Sequence, residues 1–215
     1  LLGSAGFEIN QYPYYDMASR QINVQAMMDT LRTVPAGDMV LLHGCCHNPT
    51  GADLTHDQWD EIADIALERG FIPFIDTAYQ GLGDGLHEDA YGMRMMAERL
   101  PEVVIASSCS KNFGLYRERT GSITFIAETP ERADVVVSQA MSTARSIYSM
   151  PPAHGALLVS MVLGDQQLRS QWQAELEEVR LRVKAMRGLL CDSLQDNDAG
   201  MDFSHINRQK GMFSF

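Results

Sequence analysis

The stretch EVVIASSCSKNFGLYRERTGSITFIA, residues 102–127, places two apolar runs on either side of a polar segment. The runs 102–107 and 121–127 have the length and composition of strands buried in a sheet. The polar segment contains Lys111, and lysine is rare in this chain: the 17 lysines and arginines include only Lys111, Lys184 and Lys210 as lysines. If Lys111 is buried as its apolar neighbours are, its ammonium group needs a partner or a function.

Upstream of this stretch, helical and strand-like patterns alternate. Asn23 is a possible N-cap for one helix, and Thr55 with Gln58 has the spacing of a capping box for the next. This alternation predicts an α/β fold in which a mostly parallel sheet is flanked by helices. The predicted helices are 23–34, 55–70 and 89–100, and the predicted buried strands are 39–44, 71–75, 102–107 and 121–127, with Pro73 weakening the second strand.

After Pro130 the pattern becomes helical, and the residues that follow the last long helix are expected to open a second domain. Helices are expected at 130–148, at 153–163 and over the long stretch 165–196, which could bridge two domains. We therefore expect residues 1–178 to form the large domain, without its N-terminal part. Residues 179–215 would hold the end of the bridging helix and the start of a small α+β domain. The chain is expected to be an internal piece of a longer protein.

The composition argues against several classes of partner. The net charge is −11 at pH 7 and the sequence pI is about 4.9, so neither nucleic acid nor an anionic membrane is an expected partner. The longest apolar stretch is too short to span a bilayer. The four cysteines have no disulfide-scaffold spacing, which predicts reduced thiols and a cytoplasmic protein, with any targeting segment outside the sequence.

Polar residues follow three of the predicted strands, where ligands bind in open α/β sheets. Each has an ordinary explanation: Asn48 belongs to a turn, Asp76 caps a helix, and Arg119 is a solvated charge. Together, however, these groups suit one ligand, pyridoxal phosphate. They are Asn48 after the first strand, Asp76 and Tyr79 after the second, and Ser108, Ser110, Lys111 and Arg119 after the third.

The chemistry of pyridoxal phosphate accounts for each residue type. Lys111 would form an imine with the aldehyde, and Asp76 would keep the pyridine nitrogen protonated. Asn48 and Tyr79 would donate hydrogen bonds to the phenolic oxygen of the ring. Ser108 and Arg119 would bind the phosphate, the arginine through its bidentate fork.

The motifs HNPTG (47–51), FIDTAYQG (74–81) and SCSKNFGLYRERTG (108–121) resemble those of the class I pyridoxal-phosphate-dependent aminotransferases, in the aspartate and aromatic amino acid subgroup. The resemblance covers essentially all 215 residues and implies the fold-type I large domain and a homodimer. It places Asn48, Asp76, Tyr79, Ser108, Ser110, Lys111 and Arg119 at cofactor positions, with Lys111, Asp76 and Tyr79 catalytic. By the same resemblance, Asn48 would also contact the substrate.

The resemblance further implies transfer of an amino group between an L-amino acid and a 2-oxo acid such as 2-oxoglutarate. Arg145, in ARSIYSMPPAHG (144–155), matches the arginine that crosses the dimer interface to the far carboxylate of a dicarboxylic substrate. We expect aspartate as the preferred substrate, and aromatic amino acids as the alternative. Ile147 and Met150 depart from the family pattern. Residues 1–215 alone are expected to be inactive, because other parts of the family's site lie outside them.

Two readings from other functional classes remain. HGCCH (43–47) holds two histidines and two cysteines, but adjacent cysteines do not easily ligate one tetrahedral zinc ion, so we expect no resident metal. The other hypothesis is a non-catalytic domain of the same fold. The intact Lys111 and Asp76 argue against it, since packing requires neither. Lyases and decarboxylases of this fold also use a lysine and an aspartate; by resemblance, HNPTG and the Arg145 region favour amino transfer.

Overall fold

The structure is a computed structural model that describes residues 2–197 and 202–212. The strands are β1 Tyr15–Asp16, β2 Gln21–Ile22, β3 Met39–His43, β4 Ile72–Thr77, β5 Val103–Ser108 and β6 Gly121–Ile126. The main sheet has four of them in the order β3–β4–β5–β6, of which β3, β4 and β5 are parallel and β6 is antiparallel to β5. β1 and β2 form a separate antiparallel pair that precedes it. The predicted α/β fold with a mostly parallel sheet is confirmed.

The helices follow the predicted pattern closely. They are α1 Val24–Leu31, α2 His56–Arg69, α3 Tyr91–Arg99, α4 Pro130–Tyr148, α5 His154–Gly164, α6 Gln166–Asp196 and α7 His205–Arg208; a 3₁₀ turn spans Gly3–Ala5. Asn23 caps α1 by accepting a hydrogen bond from Ala26 N, and Thr55 and Gln58 form the predicted capping box of α2. The helix predicted over 89–100 begins as a 3₁₀ turn, Glu88–Ala90, before it becomes α-helical.

One face of the sheet packs against α1, α2 and α3 to form the main core. Leu42, Ile75 and Ile105 lie side by side on this face, because the parallel register pairs them across three strands. The helices contribute residues such as Leu31 and Ile62, which are fully buried. Burying a side chain of this size contributes about 1.5–3 kcal/mol, so this layer holds the strand ends in place.

Pro73 lies inside an interior strand without disrupting it. The Ile72 N–H donates to Asp38 O, at the start of β3, so alternation turns the Pro73 nitrogen towards β5. Pairing with β5 begins only at Phe74, opposite Val104. Pro73 therefore takes a position where no ladder hydrogen bond is needed, which is why its weakening effect on the predicted strand does not appear.

β6 differs from the prediction of a fourth buried strand. It lies at the edge of the sheet, and its first four residues are exposed in the part of the chain that the structure describes. β6 has the apolar composition of a buried strand, but no helix among the described residues covers it fully. α4 is similar, since none of its described residues is buried.

The domain boundary predicted at 178/179 stays a prediction. α6 continues through it without a break, as a bridging helix would. A second, smaller core at the far end of α6 contains Cys191, Phe203 and Ile206. Residues 198–201 and 213–215 of the predicted small domain lie outside the described residues. Over the described ranges, every helix is too short or too polar to cross a bilayer.

Two glycines in helices provide opposite tests of this packing. A Cβ on Gly92 of α3 would lie 2.4 Å from the Trp59 ring, whereas a Cβ on Gly188 of α6 would meet nothing within 4 Å. We expect Gly92→Ala to lower the free energy of unfolding by about 1–3 kcal/mol through overpacking. Gly188→Ala should raise it by about 0.5–1 kcal/mol through helix propensity. Urea unfolding of the complete protein measures both; shifts of the same sign would contradict this account.

Candidate functional site

The carboxyl ends of β3, β4 and β5 meet at one edge of the sheet, and Asp76 lies there. The register pairs Asp76 with His43 on one side and Ala106 on the other. Asp76 is the penultimate residue of β4. The next helical turn begins only at Glu88, so Asp76 is not a helix cap. Its carboxylate is exposed and makes no hydrogen bond within residues 2–197 and 202–212, which leaves it available to a ligand.

Lys111 lies directly beside Tyr79. Its Nζ is 4.8 Å from the centroid of the Tyr79 ring, a cation–π arrangement. Lys111 is half-buried, not fully buried as its neighbours in the sequence suggested, because β5 ends at Ser108 and the chain then leaves the sheet. Among the residues that the structure describes, no carboxylate lies within ion-pair distance of this ammonium group.

A single loop carries both Lys111 and Arg119. Its two ends are joined, because the Cys109 N–H donates to Thr120 O at 3.0 Å and Gly121 pairs with Ser108. Gly121 is required here, since a Cβ would lie 2.4 Å from the main-chain oxygen of Ser107. The amine and the guanidinium therefore project from one closed segment.

The other predicted cofactor residues of this segment lie on the same loop or, for Ser108, at the end of β5 that leads into it. Arg119 is exposed, has a positive φ of 53°, and donates from Nη1 to Tyr116 O at 3.1 Å. Ser110 is buried, and its N–H donates to Ser108 Oγ at 3.2 Å. Two hydroxyls and a guanidinium thus lie within a few residues of the lysine.

The loop that carries Asn48 is shaped by Asp53. The Asp53 carboxylate accepts hydrogen bonds from the N–H groups of Cys46 and His47, both at 2.8 Å. Burial raises the pKa of Asp53, while these two N–H donors act in the opposite direction. The Asn48 N–H donates to His43 Nδ1 at 3.1 Å, and the Asn48 side chain is exposed. Because His43 pairs with Asp76, this contact holds Asn48 near the Asp76 strand end.

His47 is a structural member of the same loop. Its ring stacks on Tyr14 with centroids 4.0 Å apart, and Thr50 Oγ1 lies 2.8 Å from its Nδ1. Burial, and then the neighbouring His43, lower the pKa of His47 to about 4, so it is neutral at physiological pH. A neutral ring in a stack explains this histidine without a ligand.

The loop after Tyr79 is held by Asp89. This buried carboxylate accepts hydrogen bonds from the N–H groups of Gly81, Gly83 and Asp84 at 2.8–2.9 Å. Burial first, and then the charges of Cys46, Tyr116 and Asp76, raise the pKa of Tyr79. Tyr79 is therefore a phenol that can donate a hydrogen bond, not a phenolate.

α6 closes the back of the site. Trp172 donates from Nε1 to Asn112 O at 2.8 Å and stacks on Phe113 with centroids 4.4 Å apart. Asn112 in turn donates from Nδ2 to Gln80 O at 3.2 Å. A cleft of about 390 Å³ opens beside Lys111, and its lining includes Tyr79, Phe113, Trp172, Leu176, Val179 and Met212.

Asp53, Asp89 and Trp172 were not among the residues predicted from the sequence. Asp89 had one signal, since GLGDG (81–85) is a glycine-rich loop whose N–H groups need an acceptor. Asp53 and Trp172 had none, because each acts on a partner distant in the chain or on the main chain of a loop. All three position residues that the prediction did name.

Arg145 lies apart from this network. It is three residues before the end of α4, it is exposed, and its side chain forms no hydrogen bond or ion pair with the described residues. The seven predicted cofactor residues all lie at the carboxyl edge of the sheet or on its loops. The structure therefore gives Arg145 no role within its own chain.

The geometry gives the zinc alternative no support. The described ranges contain no group of three or more histidine, cysteine, aspartate or glutamate side chains placed to hold a metal ion. A hydrogen bond from Cys45, and then burial, raise the pKa of the Cys46 thiol, which disfavours the thiolate that zinc requires. Cys45 and Cys46 are both buried free cysteines.

Comparison with known proteins identifies the family. The family described as "Aminotransferase class I and II" matches residues 1–215. The chain is 46% identical over 215 residues to an aromatic-amino-acid aminotransferase of Pseudomonas aeruginosa and also to an aspartate aminotransferase of Escherichia coli. All of the chain aligns in both cases, with 54% of each relative. The chain thus spans about half the length of these curated relatives.

Solved structures agree with this assignment. An aromatic amino acid aminotransferase with 3-indolepropionic acid superimposes with a TM-score of 0.95 at 46% identity, over 98% of this chain and 54% of that one. An aromatic-amino-acid aminotransferase from Burkholderia pseudomallei, covalently bound to pyridoxal phosphate, gives 0.95 at 41% identity, over 98% and 53%. On sequence and on structure, the chain belongs to the class I and II aminotransferase family.

Proposed function

We propose that the complete protein transfers an amino group between an L-amino acid and a 2-oxo acid, using pyridoxal phosphate bound by Lys111. The observation that carries this proposal is the position of Lys111 Nζ, 4.8 Å over the Tyr79 ring and without a carboxylate partner among the described residues. Packing alone gives no reason for an amine there. The covalent complex of the Burkholderia pseudomallei relative with pyridoxal phosphate supports the choice of cofactor.

The donor set fits this cofactor. A carboxylate without a hydrogen bond, a neutral phenol, an exposed amide and an amine lie at one sheet edge, and a guanidinium lies on the adjoining loop. Pyridoxal phosphate supplies an aldehyde that captures amines and a protonated ring that accepts the electrons released at a substrate α-carbon. The residues present match its aldehyde, ring nitrogen, phenolic oxygen and phosphate.

Lys111 has two roles in this proposal. Its Nζ would hold the cofactor through the aldehyde, and a substrate amine would displace it from that position. The freed Nζ would then take the proton from the substrate α-carbon as a general base and deliver it, as a general acid, to the carbon of the former aldehyde. The joined ends of its loop keep the amine within reach throughout, because the loop cannot swing away as a free strand end would.

The remaining residues hold and tune the cofactor. Asp76 would pair with the ring N–H, a charge-assisted hydrogen bond that keeps the ring protonated. Asn48 and the Tyr79 phenol would donate to the phenolic oxygen. Ser108, Ser110 and Arg119 would bind the phosphate on the Lys111 loop, close to the covalent anchor.

For the substrate we propose aspartate first and aromatic amino acids second. Relatives with both names match this chain at 46% identity, so identity does not separate the two. Arg145 is the residue that would favour a dicarboxylic substrate. Because the described residues of its own chain give it no partner, we propose a homodimer in which Arg145 serves the site of the partner subunit.

The surface around Arg145 is suited to such an interface. Val135, Met141, Ile147 and Met150 are 61%, 68%, 72% and 75% exposed. They lie on α4 or in the turn that follows it. Large apolar side chains concentrated on one exposed helix are typical of a surface that another protein covers. Met141 lies four residues before Arg145 and therefore on the same side of α4, so a partner that covered Met141 would also contact Arg145.

The role of Lys111 is tested by chemical trapping. Borohydride reduction of the complete protein with its cofactor should leave one modified lysine, at Lys111, found by peptide mass mapping. Lys111→Ala should keep its far-UV circular dichroism and lose the modification. It should also lose about 10²–10⁴-fold or more in rate, because the proton transfer loses its base. A modification at Lys184 or Lys210 would overturn the assignment.

Asp76 is tested by charge and by length. Asp76→Ala should weaken cofactor binding by about 1.5–3 kcal/mol, the value of a hydrogen bond to a charged group. It should lower the rate further, because an unprotonated ring accepts electrons poorly. Asp76→Glu should retain more activity than Asp76→Ala. The control is Asp64→Ala, which removes an exposed aspartate of α2 and should leave cofactor binding unchanged. Near-native activity in Asp76→Ala would exclude the ring-nitrogen role.

Arg145 is tested by substrate selectivity and by mixing. Arg145→Ala should reduce kcat/KM for aspartate and 2-oxoglutarate far more than for phenylalanine or tyrosine, since a bidentate partner of the distal carboxylate is lost. Arg132→Ala, at the exposed start of the same helix, is the matched control. Mixing Arg145→Ala with Lys111→Ala should restore activity, because one site of the mixed dimer has both residues. No recovery despite demonstrated subunit exchange would exclude the role across subunits.

A further inference from the structure

Residues Gln209–Gly211 run directly against the loop that carries Asn48. The Lys210 N–H donates to Gly51 O at 2.8 Å. The approach is close: a Cβ on Gly51 would lie 2.9 Å from Gln209 Cβ and from Lys210 O, and a Cβ on Gly211 would lie 2.5 Å from Cys46 Cβ. The main chain of this segment therefore fixes one side of the Asn48 loop.

The side chain of Lys210 reaches the other loop. Its Nζ forms an ion pair and hydrogen bond with the Asp84 carboxylate, on the loop that follows Tyr79. The main-chain N–H of Asp84 is bound by the buried Asp89, so the pair connects to the rigid part of that loop. One residue thus contacts the Asn48 loop through its main chain and the Tyr79 loop through its side chain.

Three carboxylates, those of Asp84, Asp53 and Asp89, favour the charged form of the Lys210 side chain. Burial disfavours its ammonium form, but the hydrogen bond and charge of Asp84, followed by the charges of Asp53 and Asp89, outweigh burial and raise its pKa. Asp53 shapes the Asn48 loop and Asp89 shapes the Tyr79 loop. Without the ammonium group, three carboxylates would repel one another across the gap between these loops.

The segment is itself held firmly by Arg187 of α6. The Arg187 side chain is buried, and its Nη2 donates to Gly211 O at 2.6 Å and to Met212 O at 2.5 Å. Its Nη1 donates to Ile206 O at 3.4 Å. Lys210 therefore projects from a fixed support, which lets its side chain set the distance between the two loops.

We propose that Lys210 is a positioning residue that holds the Asn48 and Tyr79 loops at a fixed separation, so that both side chains reach the same oxygen of the cofactor. This inference rests on the proposed function for the identity of that oxygen. The bridge between the loops stands on the contacts alone. Lys210 touches neither cofactor nor substrate in this proposal, so its effect is on geometry.

The first test uses amide hydrogen exchange in the complete protein without cofactor. Lys210→Met keeps the length of the side chain and removes its charge. We expect the amides of Gly81, Gly83 and Asp84, and those of Cys46 and His47, to exchange several-fold faster. The control is Lys184→Met, which changes an exposed lysine on α6 and should leave these exchange rates unchanged. Lys210→Arg should restore most of the protection. Asp84→Asn removes the partner charge of the ion pair and should raise the same exchange rates.

The second test uses the cofactor-loaded protein. Both donors to the phenolic oxygen withdraw charge from it, so a lost donor raises the proton affinity of the adjacent nitrogen. We expect the pH midpoint of the visible absorption to rise by about half a unit or more in Lys210→Met and to return towards native in Lys210→Arg. A residue that only stabilised the fold would lower the unfolding midpoint without this spectral shift.

The outcomes separate the two proposals. Native exchange at the five amides in both Lys210→Met and Asp84→Asn would overturn the role of Lys210. So would a native absorption midpoint in the loaded Lys210→Met. If the native protein shows no cofactor absorption, the proposed function fails, while the exchange experiment still decides whether Lys210 bridges the loops. If Lys210→Met does not fold, native exchange in Asp84→Asn by itself overturns the bridge.

Discussion

Parallel pairing of β3, β4 and β5 is the constraint on which the rest of the site depends. Parallel strands all point their carboxyl ends to the same edge, so residues far apart in the chain arrive side by side. His43, Asp76 and Ala106 are neighbours only because the register pairs them. The core of α1, α2 and α3 fixes that register from one face, since a slip by one residue would expose Leu42, Ile75 and Ile105.

Two carboxylates, the half-buried Asp53 and the buried Asp89, organise the loops at the strand ends. The loops after β3 and β4 have little regular structure, so their main-chain N–H groups need acceptors. Asp53 supplies one for the first loop and Asp89 for the second, with two and three N–H donors respectively. This arrangement leaves negative charge on both loops, which the cation of Lys210 offsets. The two carboxylates that order the loops are therefore also the source of the negative charge that Lys210 balances.

The sequence predicted the layers well because their causes are local. Near neighbours in the chain determine the helix caps at Asn23 and Thr55, the helix start at Pro130 and the apolar runs. The structure has the caps and the helix start where they were predicted, and a strand at each apolar run. The exposure of β6 and the half-burial of Lys111 were not predictable, because burial depends on which distant elements cover a strand. Asp53 was missed because its partners are main-chain groups that carry no sequence signal, whereas the glycine-rich loop GLGDG (81–85) gave Asp89 a signal that was not used. The site residues could be named from residue type at strand ends, whereas the network that orients them required coordinates.

The closed loop between β5 and β6 has a consequence for how this protein can change over evolutionary time. Its ends are joined by the Cys109–Thr120 hydrogen bond and by the close approach of Gly121 to Ser107. Lys111 follows one end and Arg119 precedes the other, so any insertion or deletion would displace one relative to the other. At the tip of the loop Gly114 has a positive φ of 66°, which favours glycine, whereas the exposed Tyr116 side chain has no such restriction. Drift in this segment should therefore proceed by substitution at the tip, with the number of residues between the two basic side chains held constant.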